Sequence, residues 1–132
     1  MILVDTSILL DYFRGRDTDG VERFDEVQDK SLTFGISDYT YAELLQGCAT
    51  QKEFKSLQHC LDTQRFYTFQ KARESYMQAS RLYFRCRQAG ITIRSTMDCW
   101  IAQIAIENEL FLLHSDKDFD RIASIIPELK IY

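Results

Sequence analysis

Short apolar runs alternate with amphipathic stretches along this chain. Ile2-Leu3-Val4 is a β-branched run that stops at Asp5, and Ile8-Leu9-Leu10-Asp11-Tyr12-Phe13 then sets its apolar residues at helical spacing until the Arg14-Gly15 pair ends the helix. The pattern predicts a charged helix over Asp19 to Asp29, a strand over Leu32-Thr33-Phe34-Gly35-Ile36, and a helix over Ser37 to Cys48. Tyr41, Leu44, Leu45 and Cys48 form the apolar stripe of that helix. A helix from Lys52 to Leu61 and a short strand, Phe66-Tyr67-Thr68-Phe69, follow. A long helix from Lys71 to Gln88 puts Ala72, Tyr76, Ala79, Tyr83 and Cys86 on one face, and Gly90 stops it. The remainder reads as a helix from Thr96 to Asn108, a strand Leu110-Phe111-Leu112-Leu113, a short helix over Phe119 to Ala123, and an extended end, Leu129-Lys130-Ile131-Tyr132. Strands separated by helices predict an α/β fold whose central parallel sheet has about four to five short strands with helices on both faces. In such sheets, sites form beyond the C-terminal ends of the strands.

At 132 residues and 45% hydrophobic, the chain has the material for one domain, 1–132, and not for two. A single proline, Pro127, and five glycines leave little for linkers. The start, Met1-Ile2-Leu3-Val4-Asp5, meets an acid after three apolar residues, unlike a secretion signal, and no segment is apolar enough for a membrane. A cytoplasmic protein is expected. Cys48, Cys60, Cys86 and Cys99 fall at irregular intervals, and His59 and His114 are not grouped with them, so neither a zinc site nor a disulfide framework is signalled. The cysteines read as small buried hydrophobes.

Net charge is −4, from 16 basic and 20 acidic residues, the wrong sign for a protein that grips nucleic acid mainly through its phosphates. Any such contact requires a local basic patch. Arg81, Arg85 and Arg87, joined by Arg94 and interleaved with Tyr83 and Phe84, are the candidates. An aromatic content of 13% suggests that Tyr12, Phe13 and Phe24 lie at an interface.

The acids carry the chemistry. Asp5 closes the first strand, and Asp116 follows Leu110 to Leu113 after only His114 and Ser115, so both reach the same sheet edge. Asp98, at i, i+3, i+4 and i+7, shares a helix face with Ile101, Ala102 and Ala105 and points inward. Glu43 sits beside the Tyr41, Leu44, Leu45 stripe. Taken singly, each acid has a capping explanation: Thr40-x-x-Glu43 and Ser95-x-x-Asp98 fit the capping box, and Asp5 and Asp116 fit N-caps. Convergence changes the balance, because two carboxylates about 4 Å apart repel by roughly 4 kcal/mol at an effective dielectric near 20. A divalent cation explains such a cluster, and an all-oxygen donor set favours Mg²⁺, or Mn²⁺, over zinc.

Val4-Asp5-Thr6-Ser7, Tyr41-Ala42-Glu43-Leu44, Met97-Asp98-Cys99-Trp100-Ile101-Ala102 and His114-Ser115-Asp116-Lys117-Asp118-Phe119 resemble the motifs of the PIN-domain family, in order and across nearly the whole chain. With the small size, the likeness is greatest to the VapC toxins of bacterial toxin–antitoxin pairs. The resemblance implies a magnesium-dependent endoribonuclease that arrests growth by blocking translation. Asp5, Asp98 and Asp116 would bind the metal, and Glu43 would complete the site and orient or deprotonate the attacking water. Thr6 or Ser7 would donate to a ligand carboxylate or to the phosphate. His114 stands where many relatives carry Thr or Ser, leaving the polar role to it or to Ser115, and Asp118 is a rival to Asp116. The implied partners are an RNA substrate, with tRNA among the candidates, a second copy in a homodimer, and an antitoxin whose tail fills the acidic groove with a basic side chain. The alternative is a catalytically silent PIN-like module that binds RNA or protein. A small-molecule phosphohydrolase with an aspartyl nucleophile would want Asp-x-Asp where the chain has Asp5-Thr6-Ser7.

Overall fold

In the computed structural model, which describes residues 1–132, Ile2, Leu3 and Val4 are all buried, as a strand covered on both faces requires. The strands are β1 (Ile2–Val4), β2 (Phe34–Ser37), β3 (Phe66–Tyr67), β4 (Phe111–Leu113) and β5 (Lys130–Ile131). The helices are α1 (Thr6–Phe13), α2 (Asp19–Asp29), α3 (Asp38–Gln46), α4 (Gln51–Asp62), α5 (Arg73–Gln88), α6 (Thr96–Glu107) and α7 (Lys117–Ile125). The strands form one sheet of order β3-β2-β1-β4-β5 in which every pairing is parallel. The expected α/β architecture is the observed one.

Alternation along the strands builds two cores. Leu3 and Leu112 turn to one face and pack with Leu82, Cys86, Ile101, Ala105, Phe119 and Ile122 from α5, α6 and α7. Ile2, Val4, Ile36 and Leu113 turn to the other, against Ile8, Leu9, Phe24, Val27, Leu44 and Leu61 from α1 to α4. Chain order reverses direction at β1, which has β2 on one side and β4 on the other. That switch point opens a crevice at the C-terminal strand ends.

Several sequence expectations are corrected. The buried face of α5 is Ser75, Ala79, Leu82 and Cys86, while Tyr76 is 47% exposed and packs edge-on against Phe69 and Trp100. Of the expected stripe Ala79 and Cys86 are buried and Tyr83 packs partly buried against the same core, whereas Ala72 lies before the helix at a positive φ of 48°. Phe24 is core rather than interface, sandwiched edge-on between Tyr12 and Phe34, whereas Tyr12 and Phe13 are exposed. β2 begins at Phe34, since Ser31 turns the chain with φ 52° and leaves Leu32 exposed. The cap of α3 is Ser37, whose Oγ accepts from Thr40 N, so Thr40 and Glu43 form no capping box. Of the four cysteines, Cys86 and Cys99 are buried; Cys60 is exposed and Cys48 half-buried.

Gly35 of β2 lies close against β3 and the residue before it. A Cβ there would lie 2.5 Å from the Arg65 carbonyl oxygen, the same oxygen that accepts the Ile36 N–H at 2.9 Å. Gly35→Ala is expected to destabilise the fold by about 2 kcal/mol, or roughly 8 °C in melting temperature. Thermal melts check this, and a change under about 1 °C would contradict the tight strand approach.

Candidate active site

The site grows from three helix starts at one sheet edge. Asp5 continues the strand ladder by donating its N–H to Leu113 O at 2.9 Å, then caps α1. Its Oδ2 accepts from Ser7 N at 3.0 Å and from Ser7 Oγ at 2.6 Å. The Ser7 hydroxyl in turn accepts from Ser115 N at 3.0 Å, tying the ends of β1 and β4 together. Thr6 is turned away from Asp5 and donates to Thr40 Oγ1 at 3.1 Å, bracing α1 against α3.

Ser95 caps α6 by accepting from Met97 N, and Asp98 follows in the first turn. Ile101, Ala102 and Ala105 on its face are buried in the core, so the carboxylate is directed inward as the spacing predicted. Asp116 caps α7 by accepting from Asp118 N at 2.9 Å. His114 steers this turn: its Nδ1 accepts from Asp116 N at 3.1 Å, its ring packs on Phe119, and its buried Nε2 has no hydrogen-bond partner. Burial, followed by the nearby Arg23 guanidinium, lowers the His114 pKa against the opposing pull of Asp120. The histidine is therefore a neutral, packed support for the β4–α7 turn.

Asp5, Glu43, Asp98, Asp116 and Asp118 line one cavity of about 440 Å³, together with Thr6, Ser7, Tyr39, Arg94 and Ser95. The five acids stand around it rather than closing on one point: no three acids, histidines or cysteines gather tightly enough to ligate a single ion directly. Their proximity still registers in their acidity. Burial raises the pKa of Asp5 against the lowering effect of the Ser7 hydrogen bonds, and the Glu43 charge adds to the rise. Asp98 is pushed from the ordinary 3.8 to about 7, by burial first and then by the charges of Asp116, Asp5 and Asp118.

Asp118 differs from its neighbours. It is 1% exposed, and both of its oxygens are engaged, Oδ2 by Arg94 Nε at 3.1 Å and Oδ1 by Arg121 Nη1 at 3.5 Å. Asp116 keeps a more open carboxylate, 32% exposed, with only a 3.6 Å approach from Arg94. Arg94 is consequently corrected from the proposed basic patch to the one cation of the acidic cavity. Arg85 pairs with Glu128 at 3.8 Å, so of that patch only Arg81 and Arg87 remain as open side chains.

Tyr39 was missed. It lies one helical turn before Glu43, whose carboxylate pushes the phenol up to about 12, and the i, i+4 spacing was the available signal.

The model of the PIN domain matches residues 2–125. The chain belongs to the PIN-domain family. Ribonuclease VapC11 of Mycobacterium tuberculosis is 30% identical over 126 residues, 95% of this chain and 93% of that protein. Among solved structures, VapBC2 from Rickettsia felis, bound to a promoter DNA fragment, aligns over 100% of this chain and 98% of its own at 24% identity, with TM-score 0.75. A toxin–antitoxin complex from Klebsiella pneumoniae aligns over 99% of this PIN domain and 100% of its own chain at 21% identity, with TM-score 0.65.

The folded-state pKa of Asp98 lies above that of an unfolded aspartate, so its contribution to stability is complete below about pH 4 and is lost as pH rises through about 7. In EDTA at pH 8, Asp98→Asn is expected to melt roughly 4 °C above the parent, with the gap closing toward pH 5. Equal melting temperatures at pH 8 would mean that burial and the neighbouring carboxylates do not penalise the charged form of Asp98 as described.

Proposed function

We propose that this PIN domain is a magnesium-dependent endoribonuclease acting as the toxin of a toxin–antitoxin pair. The observation that carries the reading is the ring of carboxylates at the switch point, where burial first and then the charges of Asp116, Asp5 and Asp118 lift Asp98 to about 7. Its 30% identity to a protein named ribonuclease VapC11 supports the activity, and its likeness in fold to a chain of a toxin–antitoxin complex supports the partnership.

The donor set fits a hard cation. The side-chain atoms lining the cavity that could ligate a metal are carboxylate and hydroxyl oxygens, and Mg²⁺ keeps several waters while taking one or two carboxylates, which suits an open ring of acids; Mn²⁺ fits the same ring. Asp5, Asp98 and Asp116 would hold it, in part through the waters the ion keeps. Bound there, the ion would lower the pKa of a water toward neutrality and offset charge building on the phosphate. Hydrolysis joins the water oxygen to phosphorus as one bridging P–O bond breaks. Glu43 accepts the proton released by that water, and Tyr39 keeps its carboxylate in place. Ser7 fixes the orientation of Asp5 and, through Ser115, its distance from Asp116. Asp118, spent on two arginines, is left out of the metal set.

The proposal extends to a homodimer and to an antitoxin that sets a basic side chain among these carboxylates, where a cation of either kind is favoured. No helix is long and apolar enough to cross a membrane. The proposed toxin meets its RNA in the cytoplasm.

Total RNA incubated with the protein should be cut in Mg²⁺ and left intact in EDTA. Ser7→Ala is expected to lose about 10- to 100-fold in rate, as for a group that orients a metal ligand, and Asp5→Asn more. Mg²⁺ should also raise the melting temperature of the parent and not of Asp5→Asn. Equal cleavage by Asp5→Asn would reject the site. Growth arrest that persists in the Asp98→Asn variant would favour a passive binding module.

A further inference from the structure

We propose that Arg94 contacts the scissile phosphate during cleavage, a reading that rests on the ribonuclease activity proposed above. A phosphodiester brings negative charge into a cavity lined by five acids, and Arg94 is the only cation among the lining residues. Its position is built into the fold. Nε and the backbone N–H of Arg94 both donate to Oδ2 of Asp118, at 3.1 Å and 3.3 Å, and Asp118 is 1% exposed. The backbone donor anchors the segment at Asp118, and the Nε bond ties the guanidinium to the same buried oxygen.

The opposite edge of the guanidinium is left available. Nη2 lies 3.6 Å from Asp116 Oδ1, too far for a hydrogen bond, Nη1 has no protein partner, and the side chain is 73% exposed. A guanidinium presents such paired N–H groups in a fork that matches two oxygens of a phosphate. Fixed in advance beside the acids, it stabilises charge on the non-bridging oxygens as the water oxygen joins phosphorus and the bridging bond breaks. Asp118 is then a positioning residue, and its burial is explained by the arginine it holds. Arg121 supplies the control: it meets the other oxygen of Asp118 at 3.5 Å and does not line the cavity.

The test uses the full chain in Mg²⁺ and a labelled single-stranded oligoribonucleotide that the parent cuts. Arg94→Ala is expected to lower kcat about 100-fold and to reduce the salt dependence of log kcat/KM by about 0.7, the value of one phosphate contact on a single strand. Arg94→Lys keeps the charge without the fork and should lose about tenfold, while Arg121→Ala stays within about twofold of the parent. Cleavage by Arg94→Ala within about threefold of the parent, or equal losses in Arg94→Ala and Arg121→Ala, would overturn the proposal, the second outcome marking a mere clamp on Asp118. Should Arg94→Ala fail to fold, Arg94→Gln, which still carries a donor for Asp118 but no charge, is read by the same thresholds. A parent protein that cuts no RNA would instead remove the ribonuclease reading on which the proposal rests.

Discussion

Carboxylates gathered at one rim of a parallel sheet must be forced together, and the fold does this with backbone geometry. Parallel pairing of Val4 with Leu113 sends both chains out of the sheet at the same edge, so Asp5 and Asp116 cannot avoid one another. The Asp5 N–H to Leu113 O bond and the Ser7 hydroxyl then lock the two exits together. Asp98 is held by the core face of its own helix. The strand pairing and core packing that place Asp5, Asp98 and Asp116 do not depend on their carboxylates.

Helix capping and site chemistry, which compete as explanations for each acid taken alone, coincide in the structure. Asp5 and Asp116 are N-caps, and Asp98 and Asp118 lie in first turns, so the positive ends of α1, α6 and α7 converge on the cavity. Each helix end favours a nearby negative charge by about 0.3–1 kcal/mol, against roughly 4 kcal/mol of repulsion for a pair of carboxylates about 4 Å apart. Dipoles alone therefore cannot balance the ring. The elevated pKa of Asp98 records burial first and the charges of Asp116, Asp5 and Asp118 second, and a cation would relieve both by favouring the charged form.

Most of this was legible because it depends on short sequence distances. A β-branched run ending in an acid locates Asp5, the i+3 and i+4 alanine and isoleucine locate Asp98, and strand–helix alternation alone gives a parallel sheet with its site at the C-terminal edge. Capping was misjudged where two hydroxyl residues compete: Thr40 had the better pattern with Glu43, yet Ser37 ends the strand and takes the cap. The stripe of α5 holds at Ala79 and Cys86 but not at Tyr76, for a related reason. Aromatic residues such as Tyr76 satisfy a helical period equally well when they face a neighbouring ring at the surface.

Arg94 shows where sequence reasoning stops. Counted with Arg81, Arg85 and Arg87, it belongs to a basic run suited to phosphates, and its charge is indeed the right sign for that work. Yet its partners, Asp116 and Asp118, are 22 and 24 residues away and reach it only because α7 starts beside the loop that precedes α6. A periodic pattern reports which face of its own helix a residue occupies, whereas an ion pair between a loop and the start of another helix depends on how separate helices dock. Core packing sets that docking, with Phe119 and Ile122 of α7 in the same cluster as Ile101 and Ala105 of α6. The apolar residues thus decide which cation faces which acid, so the charge pattern of the cavity is a consequence of the core rather than of the charged sequence itself.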